Sequence, residues 1–200
     1  RKLTAEVLAL RLRDLDSGAG VHDSAMRECD LAMQAALADQ RAAEAALGRW
    51  GAFDVWINNA GVTYFSPLDE GSLEEHRRVV ETHLFRAIHG GRAGNPSFRH
   101  QRRGAPIHAG SVRRRGGNPF EPSYVISKHG LAGLSEALRV EVAEFPDIHV
   151  CNLFPYAIDT PHFQDGANDT GRAAYTMPPV QSPEKVARAI GGLGERPRRQ

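Results

Sequence analysis

The sequence predicts an α/β fold: a mainly parallel sheet with helices on both faces. Two observations predict it. Beyond Gly51, short β-branched and aromatic runs alternate with long helical segments, the pattern of βαβ units. In addition, 200 residues that are 41% hydrophobic and 24% charged suffice for one domain with a sizeable core, and no fixed-period repeat or low-complexity linker divides them.

The elements follow in order. Residues 6–12 (Glu-Val-Leu-Ala-Leu-Arg-Leu) form a short apolar run that reads as a strand or a helical turn, since periodicity cannot separate the two at this length. Gly18-Ala19-Gly20 reads as a plain turn, because Val21-His22-Asp23 follows it rather than a helix-opening phosphate loop. Residues 24–50 are rich in Ala, Leu, Met, Glu, Gln and Arg, contain no proline, and predict one long amphipathic helix. Residues 53–59 predict a buried strand that runs into Asn58-Asn59-Ala60-Gly61. Ser72-Leu73-Glu74-Glu75 has the form of a capping box, and Val79, Val80, Leu84, Phe85 and Ile88 continue at helical spacing. A second strand is expected over 105–111, and a long helix over 123–144 with Leu131, Leu134 and Leu138 on its stripe. A third strand is expected over 148–154, closed by Pro155, and a last helix over 182–190.

In such sheets ligands sit beyond the carboxyl ends of the strands, which gives first claim to Asn58 through Gly61, to Ser111, and to Pro155 through Thr160. Tyr124 follows Ser111 by thirteen residues, and Lys128 lies one helical turn further on. The i, i+4 spacing brings phenol and ammonium to one helix face. A free tyrosine, with pKa about 10, is a poor acid or base at neutral pH, and a nearby cation lowers that value. A hydroxyl such as that of Ser111 can hold a substrate oxygen while Tyr124 gives or takes its proton. Hydride must then come from a cofactor, since no side chain supplies it.

Asn58-Asn59-Ala60-Gly61, Ser111, Tyr124-Val125-Ile126-Ser127-Lys128 and Pro155 through Thr160 resemble, in order and approximate spacing, the short-chain dehydrogenase/reductase family. The resemblance covers residues 50–196 as a family-like catalytic part, with 1–49 matching poorly, inside a single Rossmann-like domain spanning 1–200. It implies an NAD(P)-dependent oxidoreductase acting on an alcohol or carbonyl group of a small molecule. By resemblance Tyr124 is the acid/base, Ser111 orients the substrate, and Lys128 contacts the nicotinamide ribose and lowers the Tyr124 pKa. Asn58, Ala60 and Gly61 line the cofactor cleft beside Tyr124 and Lys128, while Pro155, Ile158 and Thr160 border the nicotinamide. The family commonly pairs through its two long helices, here near 72–90 and 123–144, so a homo-oligomer is expected.

Several positions depart from the family pattern. Where it usually has an asparagine completing a proton relay through water, this chain has His83, and imidazole also binds water. Tyr156 stands where a glycine commonly follows the proline, close enough to crowd the nicotinamide, and Arg113-Arg114-Arg115 follows Ser111. No T-G-x-x-x-G-x-G stretch lies near the N-terminus, and the chain ends where a final strand is expected. The alternative is a truncated or divergent member that keeps the fold and serves as a non-catalytic pairing module.

Other classes find less support. With 25 Lys and Arg against 24 Asp and Glu, the net charge of +1 creates no global field for nucleic acid or anionic membrane. The clusters around Arg99, Arg102 and Arg103 and at 113–115 read as solvated loops. No apolar run approaches the ~20 residues of a membrane span. Cys29 and Cys151 lack paired spacing, and the histidines lack metal-ligand spacing, so a reducing, cytoplasmic setting and no metal are expected.

Overall fold

The computed structural model describes residues 21–197, with side chains from residue 36 onward. The readings for 6–12 and for Gly18 to Gly20 lie outside the described residues. Helix α1 spans Val21–Trp50 and is followed by β1, Val55–Asn58. Half of the expected capping box forms: the Ser72 side chain accepts a hydrogen bond from the Glu75 backbone N–H and opens α2, Leu73–Val80, while the Ser72 N–H donates to the Tyr64 phenol oxygen at 2.8 Å instead of to the Glu75 carboxylate.

The stripe expected downstream of Ser72 is displaced. A π-helical turn, Glu81–Phe85, joins α2 to α3, Arg86–Gln101. The inward positions run Val79, His83, Ala87, Gly90, Gly94 and Phe98, at ordinary three- and four-residue steps, while Phe85 is turned outward and half exposed.

Strand β3 spans Arg103–Ala109, and α4 spans Pro122–Glu141. The strand expected over 148–154 is split into β4, Asp147–Ile148, and β5, Cys151–Leu153. Both pair with β3 in one register, Gly104 with Ile148 and Ile107 with Cys151, so the interruption is a local distortion of one course of chain. It falls opposite Ala105 and Pro106, and the proline has no N–H to give to the ladder. Helix α5, Pro183–Glu195, is capped by Ser182 and runs further than the sequence suggests.

All pairs in the main sheet are parallel, with β3 between β1 on one side and β4 and β5 on the other. Alternation along the strands feeds two cores. Phe98, Leu138, Val142, Ile148 and Val150, with Trp56, form the core under α3 and α4. Ala105, Ile107 and Cys151 meet Leu193 and Ile190 of α5 on the opposite face. Short parallel ladders pair β2, Tyr64–Phe65, with β7, Ala167–Asn168, and β6, Ala157–Ile158, with β8, Val180–Gln181. Among the described residues no helix is long and apolar enough to cross a membrane.

Candidate active site

The loops that leave β1, β3 and β5 meet the first turns of α4. Val112 N–H donates to Pro155 O at 3.2 Å, which ties the loop after β3 to that after β5. On α4, the expected pairing forms: Lys128 Nζ lies 5.4 Å from the Tyr124 ring centroid. The same ammonium donates to Ala109 O, at the end of β3, at 2.9 Å. Ser111 is buried in extended backbone, and its Oγ accepts from Arg113 N–H at 3.2 Å, capping a 3-10 turn over Val112–Arg115. The Ser111 side chain neighbours the Tyr124 phenol and acts on it to favour the ionised form.

Two imidazoles flank Tyr124. His83 meets its ring edge-on at a centroid distance of 5.2 Å, and His162 lies 6.4 Å away. Val62 N–H donates to His83 Nε2 at 3.0 Å, and His83 Nδ1 lies 2.7 Å from Ser127 Oγ. Ser127 Oγ in turn donates to Tyr124 O at 2.7 Å. Both ring nitrogens of His83 are therefore committed to the protein. The relay expected of it would need a nitrogen free for water.

The electrostatics differ from the expectation that Lys128 depresses the Tyr124 pKa. Burial dominates and raises it; the Ser111 side chain pulls it down, the Glu121 charge raises it and the Arg113 charge lowers it. Burial also pushes Lys128 down to about 8, so the ammonium is itself costly to keep charged. His83 is held well below the usual imidazole value by burial first, then by the Lys128 and His162 charges.

The expected cofactor residues are only partly turned to this centre. Asn58 Oδ1 accepts from Trp56 Nε1 at 3.1 Å, and a methyl group on Gly90 of α3 would come within 2.2 Å of that oxygen. The Asn58 side chain is thus packed under α3 rather than into a cleft, because it shares the strand face of Trp56. Ala60 is half-buried and Gly61 exposed, and a methyl group on Gly61 would sit 3.0 Å from His83 Nε2. Pro155 borders the Ser111 loop, Ile158 lies in β6 beside Gln181, and Thr160 precedes the 3-10 turn that carries His162. Tyr156 is half exposed, and its backbone N–H donates to Gln181 Oε1 at 3.2 Å.

The sequence profile described as short chain dehydrogenase matches residues 14–170. The chain belongs to the short-chain dehydrogenase/reductase family. The match reaches well upstream of residue 50, where the family motifs begin. Similar curated proteins include the uncharacterized oxidoreductase YxnA of Bacillus subtilis, 30% identical over 80% of this chain and 46% of that protein. The D-beta-hydroxybutyrate dehydrogenase of Rhizobium meliloti is 29% identical over 86% of this chain and 62% of its own length. The 3beta-hydroxysteroid dehydrogenase 1 of Eggerthella lenta is 33% identical over 75% of this chain and 59% of its own. The chain spans about half to three fifths of the length of these relatives. Among solved structures, an alcohol dehydrogenase from Thermococcus sibiricus complexed with 5-hydroxy-NADP superposes with a TM-score of 0.66 at 25% identity, covering 81% of this chain and 65% of that one. A short-chain dehydrogenase from Streptomyces avermitilis gives 0.60 at 32% identity, over 66% and 49%.

Three residues around this family site carried no role in the sequence reading. Ser127 lies inside the Tyr-to-Lys motif and is buried on α4 opposite His83, a pairing across two helices that no motif announces. Glu121 is buried one turn before Tyr124, accepts from Asn118 Nδ2 and, at 3.4 Å, from Thr63 Oγ1, and is raised by burial. A carboxylate three residues ahead of Tyr124 is the signal that was available for it. His162 was visible only as part of a loop after Thr160. The arginine clusters are largely spent on individual partners: Arg114 lies 3.8 Å over Phe154, Arg99 pairs with Glu141 at 3.2 Å and Arg103 with Asp54 at 3.2 Å.

Proposed function

We propose that this chain carries the catalytic part of a cytoplasmic NAD(P)-dependent oxidoreductase that interconverts an alcohol and a carbonyl group on a small molecule. The observation that carries the reading is the convergence of Ser111, Tyr124 and a buried Lys128 at the carboxyl end of β3. Lys128 Nζ has three N–H donors and makes one hydrogen bond among the described residues, to Ala109 O. A buried ammonium with unspent donors suits vicinal hydroxyls such as those of a nicotinamide ribose. Ala60, Gly61, Pro155, Ile158 and Thr160 border the same loops and would flank the cofactor's nicotinamide end.

Bound there, a nicotinamide cofactor supplies or accepts the hydride. Tyr124 Oη donates its proton to the substrate oxygen during reduction and takes it back during oxidation. Ser111 Oγ donates a hydrogen bond to that oxygen and holds it beside the phenol. Burial keeps Tyr124 protonated at neutral pH, the state that reduction needs. The dehydrogenase names of the relatives and the 5-hydroxy-NADP of the Thermococcus structure support the cofactor class; the choice between NAD and NADP is left to measurement. The two cysteines without paired spacing support the reducing setting.

The test is cofactor-dependent turnover by the full chain on a panel of small alcohols and ketones, followed at the reduced nicotinamide absorbance. Tyr124→Phe is expected to lower kcat by about 10²–10⁴-fold with the fold intact. Turnover unchanged in that variant contradicts the assignment.

A further inference from the structure

We infer that His83 is a positioning residue, a neutral strut that fastens the loop after β1 to the Tyr124 turn of α4, and that it carries no proton during turnover. Its kinetic consequences rest on the function proposed above; its protonation state does not.

His83 follows Val79 by one helical turn, faces inward between the β1 loop and α4, and is 2% exposed. The direction of each hydrogen bond is then forced. A backbone N–H can only donate, so the Val62 bond makes His83 Nε2 an acceptor. A neutral imidazole with a bare Nε2 carries its hydrogen on Nδ1, and that N–H donates to Ser127 Oγ. The Ser127 hydroxyl spends its own hydrogen on the Tyr124 carbonyl. Three bonds of one polarity thus run from the Val62 amide to the Tyr124 backbone. Protonating Nε2 would set a hydrogen against the Val62 N–H and break the first of them.

The charges facing the ring oppose an imidazolium as well. Lys128 comes from α4 and His162 from the turn after Thr160, both acting to lower its basicity, and the phenol at its edge is neutral at physiological pH. The loop is also packed onto the ring, since a methyl group at Gly61 would sit 3.0 Å from Nε2. The imidazole thereby ties two parts of the site at once: the loop that borders the cofactor, through Nε2, and the turn that holds the acid/base, through Nδ1.

Two substitutions separate these ties. In His83→Asn the side-chain amide N–H stands near the place of Nδ1 and keeps the Ser127 contact while releasing Val62. In His83→Gln the amide oxygen reaches the place of Nε2 and keeps the Val62 contact while releasing Ser127. The strut predicts that His83→Asn raises the KM for cofactor with kcat within about threefold of the parent, and that His83→Gln lowers kcat about tenfold with little change in that KM. A proton carrier predicts that both variants lower kcat alike and remove an ionisation from its pH profile, and that outcome overturns the proposal.

A second measurement needs no activity. Nitrogen-15 spectra of the full chain, with His83 assigned by substitution, are expected to show the Nδ1–H tautomer unchanged from pH 5 to pH 8. Titration within that range, or an Nε2–H tautomer, overturns the strut. A chain that never turns over while His83 keeps this tautomer refutes the proposed function and leaves the strut standing.

Discussion

Tyr124 is the residue whose surroundings decide the chemistry, and its setting was half legible. Its i, i+4 spacing to Lys128 placed phenol and ammonium together by helix geometry, while Ser111 was joined to them by its strand-end position and the family resemblance. The sign of its pKa shift was not legible, because spacing says nothing about desolvation, and here burial outweighs the neighbouring dipole and charge. His108 makes the same point in the core. It is fully buried on the α3 and α4 side of the sheet, beside Ser135 at 3.4 Å, and burial holds its pKa down to about 4. Between pH 6.5 and pH 4 the unfolded chain therefore binds a proton that the folded chain refuses, so stability falls as pH drops through that window. The gap is worth about 3 kcal/mol at its acid limit. Urea midpoints measured from pH 7 to pH 4 are expected to fall, and to fall less steeply in His108→Leu; equal slopes in the two proteins contradict the assignment.

At the scale of elements, helices announced themselves best. The Ser72 cap forms as its sequence predicts, and Ser72→Ala is expected to cost about 1 kcal/mol in equilibrium unfolding. The helix beyond it was legible in existence but not in phase. The buried residues Val79, His83, Ala87, Gly90 and Gly94 do keep helical spacing, but the inner face carries a histidine and glycines where the apolar Val80, Leu84, Phe85 and Ile88 suggested another stripe. The split of the third strand was not legible because it lies opposite Ala105 and Pro106, and a missing N–H in a neighbouring strand leaves no mark on the strand's own residues. The approach of α3 to β1 rests on small residues: a methyl group at Gly90 would strike Asn58 and the Trp56 indole nitrogen. Gly90→Ala is expected to destabilise the fold by about 1–3 kcal/mol. A stability unchanged by that methyl group would show that the helix can lift without cost.

For the whole molecule, the sequence placed the sheet, its parallel order and the strand ends that carry the site, because those depend on alternation and on motifs local in the chain. It did not show how α2 and α4 present their outer surfaces. Leu68, Leu73, Phe85 and Ile126 are exposed and line one groove across those helices, an apolar surface of the kind that marks an association site. A homo-oligomer through this face is expected, and Ile126→Lys is expected to lower the mass measured by light scattering; an unchanged mass excludes that face. Lys128, Tyr124 and the loops beside them are proposed to form the nicotinamide end of a cofactor site within a chain that spans about half to three fifths of the length of these relatives. Fluorescence titration of the full chain with NADH and NADPH tests it most directly. Saturable binding of at least one of them, weakened about tenfold or more by Lys128→Met, is the result predicted; no saturation by either at millimolar concentration contradicts it.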